Sequence, residues 1–255
     1  AEGTATNQRG QPKAITPYGD AHMVGPKVGT SLMTFDGTTD YVSTPDSSDW
    51  DVTGDYTWEC WFNTLAASGN KHQVLVGTAN MDTAGSDGWI FFLQASTGNT
   101  GLRFLATDGN GSWDVASITG TLNVNSDTWY HAAAVRSGTT LTLYLDGVSV
   151  GSTSWSSSLT NDGALNVGHS PGATTNYDMN GYIGPVRLSD TARYTGTSFD
   201  IPTTTFTDDS DTVLLIQDGT DGSQTFADDN SSGRSAHTLT ANGGVRWFGP
   251  KVGTG

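Results

Sequence analysis

The carboxylates bound the chemistry open to this chain. Glu2 and Glu59 are its two glutamates. Hydrolysis of a glycosidic bond by double displacement needs two carboxyl groups about 5 Å apart, one nucleophile and one acid/base. Glu2 lies in a polar opening segment and Glu59 inside the aromatic run YTWECWFN, so no glutamate pair can be built. Two aspartates could form a pair, but no spacing singles two out. His72, His131 and His169 show neither triad nor metal spacing, and His131 in WYHAAAV reads as a packed strand residue. The single cysteine, Cys60, reads as a small buried apolar group rather than a nucleophile, and it offers no disulfide framework. Nucleophile elbow, P-loop and zinc signatures are absent from the sequence. The expected function is non-catalytic.

Binding chemistry has more material. Calcium takes about six to eight oxygens from carboxylates, backbone carbonyls and Asn side chains. Candidate oxygens cluster at Asp36 and Asp40 in FDGTTDY and at Asp218, Asp221, Asp228, Asp229 and Asn230 further on. Asp-Gly is also ordinary turn chemistry, and none of these has the spacing of an EF-hand loop. Calcium is the candidate cofactor. Sugars stack their C–H faces on aromatic rings while their hydroxyls seek carboxylates and amides. Trp89 following Asp87-Gly88, Trp113 following Asn110-Gly111-Ser112, Trp155 in STSWSSS and Tyr177 before Asp178 fit that description. The expectation is that two of these four rings reach the surface, and a half-buried strand position is the competing reading for each.

Strands must position these groups. Trp129 to Arg136 and Thr139 to Asp146 read as a hairpin around Ser137-Gly138, with Leu141, Leu143 and Leu145 alternating with polar residues. Asp146-Gly147 then turns the chain tightly. Gly181 to Ser189 is another apolar strand, whose Pro185 points to an edge or a bulge. Further strands are expected at Ser31–Phe35, Tyr41–Ser43, Asp55–Asn63, His72–Gly77, Gly88–Gln94, Gly101–Ala106, Ser112–Ile118, Thr212–Gln217, Ala236–Thr240 and Gly244–Phe248, with a short one between Ala14 and Val24. In Asp55–Asn63, Tyr56, Trp58, Cys60 and Phe62 face one way and Thr57, Glu59 and Trp61 the other. About a dozen strands with such turns imply an all-β fold of two packed antiparallel sheets.

WYHAAAVRSGTTLTLYLDGVSVGS, LNVGHS and GYIGPVRLSDTARYT, with LMTFDGTTDYV and DYTWECWFN before them, resemble the laminin-G-like domains of the concanavalin A-like jelly-roll superfamily. The versions in phage tail fibres, virion appendages and bacterial surface proteins are the most similar. The resemblance runs over roughly residues 25 to 245 and implies a concanavalin A-type jelly-roll sandwich. It is weak for function, because this fold hosts lectins, adhesins, hydrolases and structural modules. Glycosidases of the superfamily use closely spaced glutamates on one strand, a pattern missing here. The position of Glu59 beside Trp61 resembles a Glu-Ala-Trp-like strand triplet of the family, which implies a structural hydrogen-bonding role. The resemblance also implies calcium at a loop edge.

A net charge of −15 and a pI near 4.3 exclude phosphate-backbone binding. No apolar run is long enough for a membrane span. The opening residues lack the apolar stretch of a signal peptide, so a signal has been removed or release follows another route. GPKVGTS at 25–31 returns as GPKVGTG at 249–255, and ITPYGDAHMVGPKVGT aligns with LTANGGVRWFGPKVGT, an offset of one domain length. Residues 1–24 read as an arm with a short strand, 25–210 as the sandwich body and 211–255 as terminal strands resembling the opening of a further domain. That tail either packs on its own sandwich or is donated to a neighbouring copy. Gly25, Pro26, Lys27 and Val28, with Trp247, Phe248, Gly249, Pro250, Lys251 and Val252, are the candidate assembly residues. The expectation is an extracellular, cell-surface or virion protein that binds glycans and takes part in assembly as a homo-oligomer or filament. The alternative is a fibre subunit that polymerises through terminal strands without binding sugar.

Overall fold

The structure is a computed structural model and describes residues 25–66, 71–85, 87–96, 99–174, 177–230, 232 and 234–249. The opening arm with Glu2 and its expected strand, and Pro250, Lys251 and Val252, lie outside the described residues. Fifteen strands form two antiparallel sheets, and the described residues contain no α-helix. One sheet comprises β1 (Leu32–Asp36), β3 (Tyr56–Thr64), β8 (Trp129–Ser137), β9 (Thr140–Leu145), β10 (Val148–Ser154), β12 (Asn180–Ser189), β13 (Thr212–Ile216) and β15 (Arg246–Phe248). The other comprises β2 (Tyr41–Thr44), β4 (Gln73–Gly77), β5 (Asp87–Ser96), β6 (Asn99–Asp108), β7 (Ala116–Thr119), β11 (Leu165–Val167) and β14 (Thr240–Asn242). Their orders are β10-β9-β8-β3-β12-β1-β15, with β13 also on β12, and β14-β2-β11-β4-β5-β6-β7.

Alternation decides what lies between the sheets. Tyr56, Trp58, Cys60 and Phe62 point inward from β3, where Trp58 meets Trp89, Phe104 and Trp155 at ring separations of 5.3, 4.7 and 6.0 Å. Every residue of β3 is nonetheless buried, because loops cover its outer face as well. The β8–β9 hairpin forms as the pattern predicts. Asp146 and Gly147 take φ of 48° and 75°, the left-handed pair that a tight hairpin turn needs. A Cβ on Gly147 would also stand 2.2 Å from the Phe199 carbonyl oxygen, so only glycine fits.

Pro185 marks a bulge rather than an edge. β12 is central, and its register against β3 shifts between Ile183 and Val186. One side of β12 pairs with β1 up to Ile183 and with β13 from Val186 onward. Two expected strands sit differently. β7 begins at Ala116, so Ser112–Val115 is loop, and Ala236–Leu239 is irregular because the chain there follows side-chain bonds to Asp228 before pairing with β2 at Thr240.

Residues 211–249 contribute to both sheets of this chain: β13 beside β12, β14 beside β2 and β15 beside β1. β1–β2 and β14–β15 each cross from one sheet to the other at the same corner, where Asp40 accepts hydrogen bonds from the backbone N–H groups of Asp36 and Gly244. Trp247, buried, anchors this crossing against Phe226 and donates its indole N–H to the Thr225 carbonyl.

Candidate functional site

Glu59 is 1% exposed on the outer face of β3. His131 Nε2 lies 3.1 Å from its carboxylate, Arg187 Nε 2.8 Å and the Tyr194 hydroxyl 2.7 Å. Burial works against its charge, but the His131 hydrogen bond, the Arg187 guanidinium and Tyr194 outweigh it and hold the carboxyl below its usual range. Burial, with the Glu59 charge and hydrogen bond, pushes the Tyr194 phenol up. Every acceptor position of this glutamate is occupied by protein, under a lid of Tyr194, Phe199 and Phe206 against the His131 ring. Such a group has no route to a substrate. Burial and the nearby Glu59 charge likewise push the Cys60 thiol up, away from the thiolate a nucleophile needs.

The aspartates proposed for calcium are distributed over several structural tasks. Asp36 closes its own turn by accepting from Thr38 and Thr39 N–H at 2.8 and 2.9 Å and from their hydroxyls. Burial opposes its charge, yet these bonds pull its carboxyl down to about 2. Asp40 locks the corner already described. Their oxygens accept hydrogen bonds from the protein's own donors, and burial with the Asp36 charge pushes the Asp40 carboxyl up. Asp218 accepts from the N–H and hydroxyl of Thr30, and Asp221 accepts from Gly249 N–H. Asp228 holds Leu215 N–H, Asn230 N–H and both the N–H and Nδ1 of His237. The Asn230 amide donates to the Thr212 and Val213 carbonyls, with its buried Oδ1 left without a donor. At Asp229, as at Asp40, burial and neighbouring carboxylates push the carboxyl up, here the charges of Asp228, Asp218 and Asp208 against a hydrogen bond from the Gln217 backbone. Among the described residues no three His, Cys, Asp or Glu side chains converge on a metal position. The amide oxygen of Gln217, like that of Asn230, is buried without a donor.

The four candidate aromatic residues separate cleanly. Trp89 and Trp155, 0% and 1% exposed, are core residues and not surface platforms. They sit at inward-facing positions, and the Trp89 indole donates to the Trp50 carbonyl inside the sandwich. Trp113 and Tyr177 are only partly buried, and both pack against Val74, Ile90, Phe92 and Leu105 on the outer face of β4, β5 and β6. His72 joins them, stacked on Tyr177 with centroids 6.0 Å apart and planes at 14°, and tilted against Phe92. Asn110 stands in the β6–β7 loop that carries Trp113, where its amide donates to Asp114 and accepts from Ser112 N–H. Asp87 opens β5 opposite Asp108, and burial with the charges of Asp162 and Asp108 raises its carboxyl.

Sequence reasoning missed His72 and Arg103 on this face. The signal was present: the inward positions of β6, Leu102, Phe104 and Ala106, fix Arg103 as outward-facing. It also missed a groove of about 420 Å³ along β1, β12 and β15, lined by Thr34, Tyr182, Leu65 and Arg246 beside Asp36 and Asp40. No periodicity brings those positions together, because Thr34 meets Tyr182 through the β1–β12 register and Arg246 through the β1–β15 register.

The assembly candidates in the described residues are engaged within the chain. Trp129 Nε1 donates to the Gly25 carbonyl, Lys27 Nζ lies 5.8 Å from the Trp61 ring centre and Val28 is buried with Trp61, Phe206 and Leu215, while Pro26 is half-buried. Phe248 pairs with Leu32 and remains 44% exposed.

A profile of the Concanavalin A-like lectin/glucanases superfamily matches residues 36–195. The solved structure of a Bacteroides ovatus protein described as a candidate carbohydrate binding protein superposes with a TM-score of 0.60 at 14% identity, covering 88% of this chain and 60% of that one. This chain thus spans about 60% of that protein's length. The CBM40 of a Ruminococcus gnavus IT-sialidase, bound to alpha2,3 sialyllactose, matches with a TM-score of 0.47 at 14% identity over 65% of this chain and 95% of that one. Mouse laminin alpha1 domains LG4-5 match with a TM-score of 0.44 at 18% identity over 68% and 46%. No curated protein matches the sequence. At these identities the likeness is one of fold.

Proposed function

The chain belongs to the Concanavalin A-like lectin/glucanases superfamily through residues 36–195, and on that premise we propose that it is a non-catalytic glycan-binding module working outside the cell, on a cell surface or a virion. The observation that carries this reading is the outer face of β4–β6. There Trp113 and Tyr177 stand partly exposed on a rigid base of buried Val74, Ile90, Phe92 and Leu105. Rings held by a packed layer lose little freedom when a sugar stacks on them, which is how such platforms bind at low entropic cost. Full engagement of Glu59 by Arg187, His131 and Tyr194 supports the non-catalytic half of the reading.

The test is a glycan array followed by calorimetry on the strongest hit. Trp113→Ala and Tyr177→Ala each weaken binding about tenfold, the value of roughly 1.4 kcal/mol in affinity. Unchanged affinity in both variants sinks the site, and release of reducing sugar sinks the non-catalytic assignment. Calcium belongs to the proposal at Asp229, where burial and the charges of Asp228, Asp218 and Asp208 bear on its carboxyl and a cation would offset them.

A second reading, a fibre subunit joined through its ends, draws support from the GPKVGT repeat. Deleting 211–255 cannot test it, since that removes β13, β14 and β15 from both sheets. Deleting 250–255 leaves every described strand in place, and loss of fibres in electron micrographs of that variant is the expected result under this reading.

A further inference from the structure

We infer that the outer face of the second sheet is built for an acidic glycan, with the oxyanion of a carboxylate or sulfate group received by Arg103. The inference rests on the glycan-binding reading above and names the class of sugar. The other arginines among the described residues are accounted for. Arg187, Arg193 and Arg234 each grip a carboxylate, and Arg136 and Arg246 donate to main-chain carbonyls. Arg103 has neither an ion pair nor a hydrogen-bond acceptor among the described residues, and its Nε is buried without a partner. Burial disfavours its charge with no carboxylate to offset the cost. A protein with 26 acidic residues could easily have placed one beside it.

The register shows what surrounds it instead. Arg103 lies between Phe92 on β5 and Thr119 on β7. Gln94 pairs with Gly101, and across that side-chain-free position its Oε1 accepts the Thr119 hydroxyl. This leaves the Gln94 amide N–H groups as donors. His72 Nδ1 accepts from Ala95 N–H, so the ring proton sits on Nε2. Burial first, and the Arg103 charge second, pull the His72 ring down and keep it neutral. A guanidinium, an imidazole N–H and an amide thus share one face with stacked rings and no acidic side chain on the adjoining strand positions. A guanidinium fork matches carboxylate and sulfate oxygens in pairs, and the Tyr177–His72 stack offers a surface for the sugar ring. At physiological salt the overall negative charge is screened beyond about 8 Å, so the local field decides.

The experiment uses the full chain on an array of matched pairs: sialylated, uronate-containing and sulfated glycans, each beside its uncharged parent. At least one acidic glycan should bind about tenfold or more tightly than its parent, and weaken as salt rises while the parent does not. Arg103→Ala should bring the acidic glycan down to its parent's level, a loss of about 10- to 100-fold. Arg103→Lys should keep part of the preference, since the charge survives and the fork does not. The melting temperature of Arg103→Ala should fall only by the lost packing of its stem, because no hydrogen bond or ion pair among the described residues is lost, whereas Ala at a carboxylate-paired arginine such as Arg187 should lower it further. Equal binding of acidic and uncharged partners, indifferent to Arg103→Ala, overturns this inference and leaves the glycan module standing. Retention of no glycan at all overturns both.

Discussion

Replacing Glu59 with glutamine keeps the shape and the acceptor oxygen but removes the charge facing Arg187, whose NH2 lies 2.6 Å from the carboxylate. Both side chains are nearly inaccessible, at 0% and 8% exposure. Breaking a buried pair from one side leaves the other charge uncompensated and costs about 3–5 kcal/mol. In a domain of this size that lowers the melting temperature by about 6–20 °C. His131 and Tyr194 can still donate to the remaining amide oxygen, so the loss is attributable mainly to Arg187. Scanning calorimetry and urea titration measure it. The second arm of the cycle is Glu59→Gln/Arg187→Met, which removes both charges and should recover at least about 2 kcal/mol of the single-variant loss. The pH dependence has a definite sign. Because the folded carboxyl lies below its ordinary value of 4.5, its contribution is present above that value and lost as pH falls through the folded pKa. The wild type should therefore lose stability below about pH 4.5 more steeply than the glutamine variant. A single-variant cost under about 1 kcal/mol, or a double variant as unstable as the sum of two singles, refutes the reasoning. Either result would reopen Glu59 as a group retained for something other than structure.

Trp89→Ala should cost about 3–5 kcal/mol in urea titration, whereas Trp113→Ala should cost under about 2 kcal/mol and act on glycan affinity instead; reversal of that order would mean the two rings are misassigned. His237 ties Asp228 to Asp49, and the Asp228 hydrogen bond holds its ring above the usual value against burial. Its contribution is complete below about pH 6.5 and lost as pH rises through the folded pKa, so melting temperature should decline across that window in the wild type and stay flatter in His237→Gln. Calcium bound at Asp229 should raise the melting temperature in proportion to the logarithm of its concentration above Kd, with Asp229→Asn abolishing the shift; identical melts in calcium and in EDTA would remove the cation from the account.

Legibility followed the physics of alternation. Period-two runs such as Thr140–Leu145, and turns such as Asp146-Gly147, depend on neighbouring residues alone, so they could be read directly from the sequence. Trp89 and Trp155 were harder. An Asp-Gly or Ser-rich flank looks the same beside a core strand as beside a binding loop, and only the packing around Trp58 separates the cases. The aspartates misled for a related reason. A carboxylate that closes a turn, as Asp36 does, and one that waits for a cation have the same sequence neighbours, and they differ in whether donors already fill their lone pairs. Arg103 carried a readable direction but no readable significance, since an unpaired charge is defined by what fails to lie next to it in space.

The two faces of the sandwich divide the work between them. The outer face of the first sheet is occupied: Val28 and Phe206 cover Trp61, and Tyr194 and Phe199 cover Ala133, Val135 and Tyr144. The chain also enters and leaves on that sheet, since Leu32 pairs with Phe248. Phe248 is 44% exposed there. The outer face of the second sheet carries Arg103, His72, Trp113 and Tyr177 on the opposite side of the core. The proposed glycan face therefore lies across the core from the paired Leu32 and Phe248. The alternative placement, in the Tyr182–Arg246 groove along β1 and β15, would set the ligand beside that same junction. The proposal sets the ligand on the first of these faces, and loss of glycan binding on Tyr182→Ala with none on Tyr177→Ala would show that the chain uses the second.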